Sequence, residues 1–140
     1  MNVKVQKTAP SDRLIEVNGA KMMQYVNQND LSFRAAQTVI DAYHQDWFYS
    51  SNGKDTYFIP PAGYLKDGEI YFINGRHRFI LLHRHLARFP FLIGNIDGDN
   101  IAGIPSKRSL SVLRVIKERS INEHIQVAIP TLRYGNFPKA

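Results

Sequence analysis

The chain predicts an α+β fold: a single compact domain with a small mixed β-sheet and flanking helices. Two observations lead there. Residues 56–73 read as β-segments punctuated by Pro60-Pro61 and Asp67-Gly68, and helical periodicity replaces them immediately afterwards at residues 76–88. The order is helices, strands, a helix, a strand and a last helix, which argues a mixed rather than a regularly alternating architecture. The 140 residues suit one domain spanning 1–140, because domains peak at roughly 100–150 residues. At 44% hydrophobic and 21% charged, a chain of this length needs no staple to fold.

Taken in order, residues 1–5 alternate weakly and suggest an edge strand, and residues 12–17 a short strand or turn. Residues 20–27 are helix-like, with Asn29-Asp30 as the breaker. Ser32 is a good N-cap for a helix over 33–47, where Phe33, Ala36, Ile40, Tyr43 and Trp47 fall at helical spacing. Residues 50–55 read as a loop and 56–59 as a strand stopped by Pro60-Pro61. Residues 63–66 and 69–73 flank Asp67-Gly68, a strong hairpin signal. From Arg76, the residues Phe79, Leu82, His83 and Leu86 share one helical face, with His77, Leu81, Arg84 and Arg88 on the other. Pro90 ends that helix, 91–96 reads as a buried strand, Ser109 caps a last helix over 110–119, and 125–129 closes as a strand.

Composition excludes several classes. The chain has no cysteine, so disulfide scaffolds, thiolate metal sites and cysteine nucleophiles are out. No apolar run reaches the roughly 18 residues of a membrane span, and the N-terminal stretch lacks the apolar core of a signal peptide. The expectation is a soluble, cytoplasmic protein without a membrane partner. The net charge of +6 is lopsided: residues 1–70 carry 7 Lys/Arg and 8 Asp/Glu, residues 71–140 carry 11 and 4. Between Asn74 and Arg88 lie Arg76, Arg78, Arg84 and Arg88, three histidines and no acid. Clustered arginine without local counter-charge favours an anionic partner.

The informative segment is Tyr71-Phe72-Ile73-Asn74-Gly75-Arg76-His77-Arg78-Phe79. A strand runs into Asn-Gly and a helix starts at once, so the unpaired N–H groups of the first turn and the helix dipole favour an anion. Gly75 admits a ligand close to the backbone, and Arg76, His77 and Arg78 add side-chain donors. Nucleotide or nucleic-acid phosphate is therefore expected at Asn74, Gly75, Arg76, His77 and Arg78, with Arg84 and Arg88 as further basic-face contacts. His77 is the candidate to orient a ligand or shuttle a proton.

These residues resemble the ParB/sulfiredoxin-like superfamily over about residues 57–96. The likeness is carried by Phe58-Ile59-Pro60-Pro61, the segment 63–73, Asn74-Gly75-Arg76-His77-Arg78 and the helix that follows. The resemblance implies a ParB/sulfiredoxin-like fold and a bound nucleoside triphosphate with Mg²⁺. It does not imply one activity. Sulfiredoxins use a cysteine in this motif, which this chain lacks. ParB-type proteins bind CTP and load onto DNA, but are normally followed by a helix-turn-helix and a dimerisation segment, for which residues 97–140 are too few. Relatives with kinase or nuclease activity imply NTP hydrolysis, phosphotransfer or strand cleavage and need a catalytic acid, for which Glu16, Asp67 and Glu69 are the candidates.

Other constellations carry less. His77, His83 and His85 are spaced six and two apart, against the three or four that helical metal ligands want. Tyr43, Trp47, Phe48 and Tyr49 suit a stacking platform, although Tyr43 and Trp47 at helical spacing suit core better. Lys107, Arg108, Arg114, Lys117 and Arg119 would extend a basic face. Ser106, Ser109 and Ser111 have no partner base. The rival reading is a catalytically silent partner-binding protein, of antitoxin or immunity type, whose basic half covers an acidic protein surface.

Overall fold

The structure, a computed structural model, describes residues 1–6, 13–33, 42–51, 53, 55–93, 96–97, 100–101, 113–115 and 125–134. It is a small mixed α/β fold of sheets with a few short helices. The central five-stranded sheet has the order β11-β2-β8-β6-β7, formed by Leu113–Val115, Arg13–Asn18, Arg88–Ile93, Ala62–Lys66 and Glu69–Asn74. A four-stranded sheet has the order β12-β1-β5-β4, from Ile125–Ala128, Asn2–Val5, Asp55–Phe58 and Phe48–Ser51. Two short pairs complete the strands: β3 (Ala42–Tyr43) with β13 (Arg133–Tyr134), and β9 (Ile96–Asp97) with β10 (Asn100–Ile101). The helices are α1 (Gly19–Met22), α2 (Gln28–Phe33) and α3 (Arg76–His85). One apolar cluster joins both large sheets to α3, with Val3, Val5 and Phe58 from one and Ile15, Ile70, Phe72 and Phe91 from the other, around Phe79 and Leu82. Among the described residues no helix is long and apolar enough to cross a membrane.

The hairpin forms as its turn chemistry demands. Asp67 and Gly68 both take positive φ, 53° and 76°, and set Leu65 opposite Ile70 and Tyr64 opposite Tyr71. The strand–glycine–helix junction is also as expected, with β7 ending at Asn74 and α3 starting at Arg76.

Several expectations are corrected. Residues 42–47 are not helical: Ala42–Tyr43 pairs with Arg133–Tyr134 and Gln45–Trp47 is a 3₁₀ turn, so pairing across the chain overrides local periodicity. Asn29, Asp30 and Ser32 lie inside α2, so the first two break nothing and Ser32 caps nothing; Asn27 caps that helix by accepting the Asp30 N–H at 2.8 Å. Leu113–Val115 is a strand registered on Val17–Ile15 rather than part of a helix. Strand β1 lies between β12 and β5 instead of at an edge. Residues 34–41 and the remainder of the expected last helix, with Lys107, Arg108, Lys117 and Arg119, lie outside the described residues.

Helix α3 ends at His85, and Pro90 sits within β8 opposite Glu16. Leu92 N–H donates to Pro61 O on the β6 side. Pro90, two residues earlier, faces the same side beyond the β6 pairing, which is limited to Leu92 and Ile93, so its missing N–H costs no ladder bond.

Candidate functional site

The turn between β7 and α3 is built on Gly75, which caps the helix at φ 90° with no side-chain cap hydrogen bond. A Cβ there would lie 2.7 Å from Pro61 Cα and 2.7 Å from Arg78 Nη2, so both conformation and space require glycine. Phe79 N–H donates to Gly75 O at 2.8 Å. The N–H groups of Arg76, His77 and Arg78 precede that first intrahelical bond.

The expected side chains do converge on the turn, yet three of them point inward. Arg76 is 8% exposed, His77 3% and Arg78 3%. Arg76 donates from Nε to Asp30 O at 2.9 Å, and from Nη2 to Asp30 Oδ1 at 2.7 Å and Phe72 O at 3.1 Å. Asp30 Oδ2 in turn accepts the Phe72 N–H at 2.8 Å. The guanidinium expected to hold phosphate is thus committed to a carboxylate and a strand edge.

Arg78 differs in kind. Its Nη1 donates to Ile59 O at 3.0 Å and its Nη2 to Asn74 Oδ1 at 2.9 Å. The guanidinium lies 6.0 Å from the Trp47 ring centre, and its Nε has no hydrogen-bond partner among the described residues. No described carboxylate pairs with it, and burial pushes its pKa from 12.5 down to about 10. A buried cation without a counter-ion is costly and therefore rare.

Asn74 belongs to this turn, and the other candidates lie apart from it. Asn74 is exposed and its Oδ1 accepts from Arg78 Nη2. Arg84 is exposed in the last turn of α3, whereas Arg88, expected on the same helix, opens β8, exposed, with its Nη1 3.9 Å from Glu16 Oε1. Asp67 occupies the hairpin tip, and Glu69 accepts from Asn27 Nδ2 at 2.9 Å. The carboxylate that hydrogen-bonds Arg76 is Asp30, which sequence reasoning treated only as a helix breaker. The two lie 46 positions apart, and no local motif links them. Trp47, expected as core or as part of a stacking platform, lies with its ring centre 6.0 Å from the Arg78 guanidinium. Tyr43 and Trp47 are buried and Tyr49 is exposed, as the core reading of that aromatic set requires. Among the described residues no group of three His, Cys, Asp or Glu is placed to hold a metal ion.

The class defined by these features is a small α+β domain with a strand–glycine–helix turn that carries two buried arginines. No protein-family model, curated protein or solved structure matches the chain.

Proposed function

We propose that the protein is a binding module for a phosphate-bearing ligand, a nucleotide or a nucleic-acid backbone, received at residues 74–78. The observation that carries this is Arg78: a positive charge held beneath a helix N-terminus with no carboxylate among the described residues to neutralise it. The roles differ from those the sequence suggests. Arg76 positions the turn through Asp30, and Arg78 supplies the field. The helix N–H groups and the Asn74 amide are the contacts for the anion. The ParB/sulfiredoxin-like reading fits the same strand–Asn74-Gly75–helix order and belongs to this proposal. The proposal is for binding; His77 is buried, and Asp30 and Arg76 are committed to each other.

The test is a thermal-shift screen against ATP, CTP, GTP and ADP, with and without Mg²⁺. A ligand at about 100 times its Kd adds about 2.7 kcal/mol, several degrees for a domain of this size. The shift should vanish in Arg78→Met. The absence of any shift would sink the proposal. It would favour the second reading, a partner-binding protein, for which the inward commitment of Arg76 and Arg78 and the surface position of Arg84 and Arg88 speak.

A further inference from the structure

The side chain of Asn74 is held in one orientation. Its Oδ1 accepts from Arg78 Nη2 at 2.9 Å, and a guanidinium has only donors, so the carbonyl end of the amide must face Arg78. The Nδ2 end, with its two N–H groups, is left for solvent or ligand on an exposed residue. Plain alternation along β7 would turn residue 74 inward with Ile70 and Phe72. The ladder slips here, with Ala62 opposite Asn74 but Gly63 opposite Phe72, so Ile73 is the extra residue of a bulge and Asn74 comes out.

We propose that the turn takes only oxyanions that carry no proton, a phosphodiester or a fully ionised phosphomonoester, and rejects a phosphate that keeps a hydroxyl. This deepens the phosphate-binding reading above and rests on it. The groups offered are donors: Asn74 Nδ2 and the backbone N–H groups that open α3. The buried Arg78 lies against Gly75, its unpartnered Nε 2.9 Å from where a Cβ would stand. Nearby acceptors among the described residues are already engaged. Gly75 O accepts from the Phe79 N–H, Ile59 O from Arg78 Nη1 and Pro61 O from the Leu92 N–H, while Asp30 accepts from Arg76 and Phe72. A P–OH brought here would point its proton at other donors and lose the hydrogen bond it had with water.

This selectivity has a pH signature of fixed sign. A phosphomonoester takes up its second proton at about pH 6, whereas a diester has none to take up in this range. The titratable groups that the described elements bring around Asn74 and Arg78 are Arg76 and His77 on α3, Asp30 on α2, and His44 and Asp46 on the turn that carries Trp47. Protonation of either carboxylate or either histidine adds positive charge, which strengthens anion binding toward acid. Only protonation of the ligand weakens it.

The experiment follows the amide shifts of Asn74 and Gly75 in the whole chain by NMR, at pH 7 and pH 5 and constant ionic strength. The ligands are adenosine monophosphate and the dinucleoside phosphate ApA, whose one phosphate is a diester. Between the two pH values the doubly ionised fraction of the monoester falls about tenfold. Adenosine monophosphate should therefore bind about tenfold more weakly at pH 5, and ApA no more weakly. The tighter ligand at pH 7 identifies the source that the turn serves, a nucleic-acid backbone or a free nucleotide. Asn74→Asp places an acceptor where Nδ2 stood, so ApA should bind more weakly and the acid loss for adenosine monophosphate should shrink. A monoester bound equally at both pH values, an ApA affinity that falls in parallel, or an undiminished acid loss in Asn74→Asp would overturn the selectivity and leave the phosphate reading standing. No binding of either ligand at either pH would overturn both.

Discussion

Asp30 and Arg76 together close the outer edge of the central sheet. Strand β7 is its last strand, and an edge strand exposes unpaired N–H and C=O groups. Here Ile70 N–H donates to Tyr25 O and Ile70 O accepts from Asn27 N–H, at 2.7 and 2.9 Å. The next outward residue, Phe72, donates its N–H to Asp30 Oδ2, and its O accepts from Arg76 Nη2. With the 2.7 Å Arg76–Asp30 bond, the ring of donors and acceptors is complete, and a side-chain pair continues what a neighbouring strand would do.

Removing one member should therefore be costly. Asp30→Ala leaves a guanidinium 90% buried beside an unsatisfied Phe72 N–H, and breaking such a pair costs about 3 kcal/mol. Urea unfolding should show that loss for Asp30→Ala, for Arg76→Ala and, with little more, for the double variant. Additive losses would mean that the two act separately.

Gly75→Ala meets two obstacles at once. A φ of 90° is strained for any side chain, and the new Cβ would press on the Pro61 backbone at 2.7 Å. A loss of at least about 2 kcal/mol is expected in chemical denaturation. A fall below about 0.5 kcal/mol, ordinary for a surface change, would show that the turn relaxes easily.

The alkaline limb of stability should be set by tyrosine. Tyr43 is fully buried, its hydroxyl donates to Pro130 O at 2.5 Å, and burial, then the neighbouring Tyr134, raises its pKa well above 10.0. Burial raises Tyr49 as well, against a smaller lowering by Gln6. Native tyrosines therefore keep protons that the unfolded chain gives up, and stability falls as pH rises past about 10. Arg78 acts the other way from about 10 upward, since the native state releases its proton first. Tyr43→Phe should flatten the net descent while costing about 1 kcal/mol at neutral pH, for the donor lost to Pro130. An equally steep descent in the variant would clear Tyr43.

Local chemistry made part of this legible. Asp67-Gly68 and Asn74-Gly75 impose backbone conformations that few other residues tolerate, so hairpin and helix start could be read directly. The segment around Tyr43 and Trp47 could not, because its structure depends on Arg133 and Tyr134, some 90 positions away. The candidate site shows the same division. Sequence located the arginines at the turn, but whether a guanidinium faces solvent or the interior depends on Asp30, Ile59 and Trp47, which arrive from three other segments.

Asn74→Asp separates folding from binding at that turn. Asn74 Oδ1 already lies 2.9 Å from Arg78 Nη2, so a carboxylate there would give the buried guanidinium a counter-ion that no described residue supplies. Stability at neutral pH should rise by about 1 kcal/mol. Arg78 would hold the new carboxyl below its ordinary value near 3.9, so the gain is complete above that pH and lost as pH falls through the lowered value. Phosphate affinity should move in the opposite direction, because the new charge neutralises Arg78 and repels the ligand. A variant that is more stable and binds more weakly would fit an anion site built on an unpaired cation. One that is more stable and binds equally well would make Arg78 a strut between Ile59 and Asn74 and nothing more.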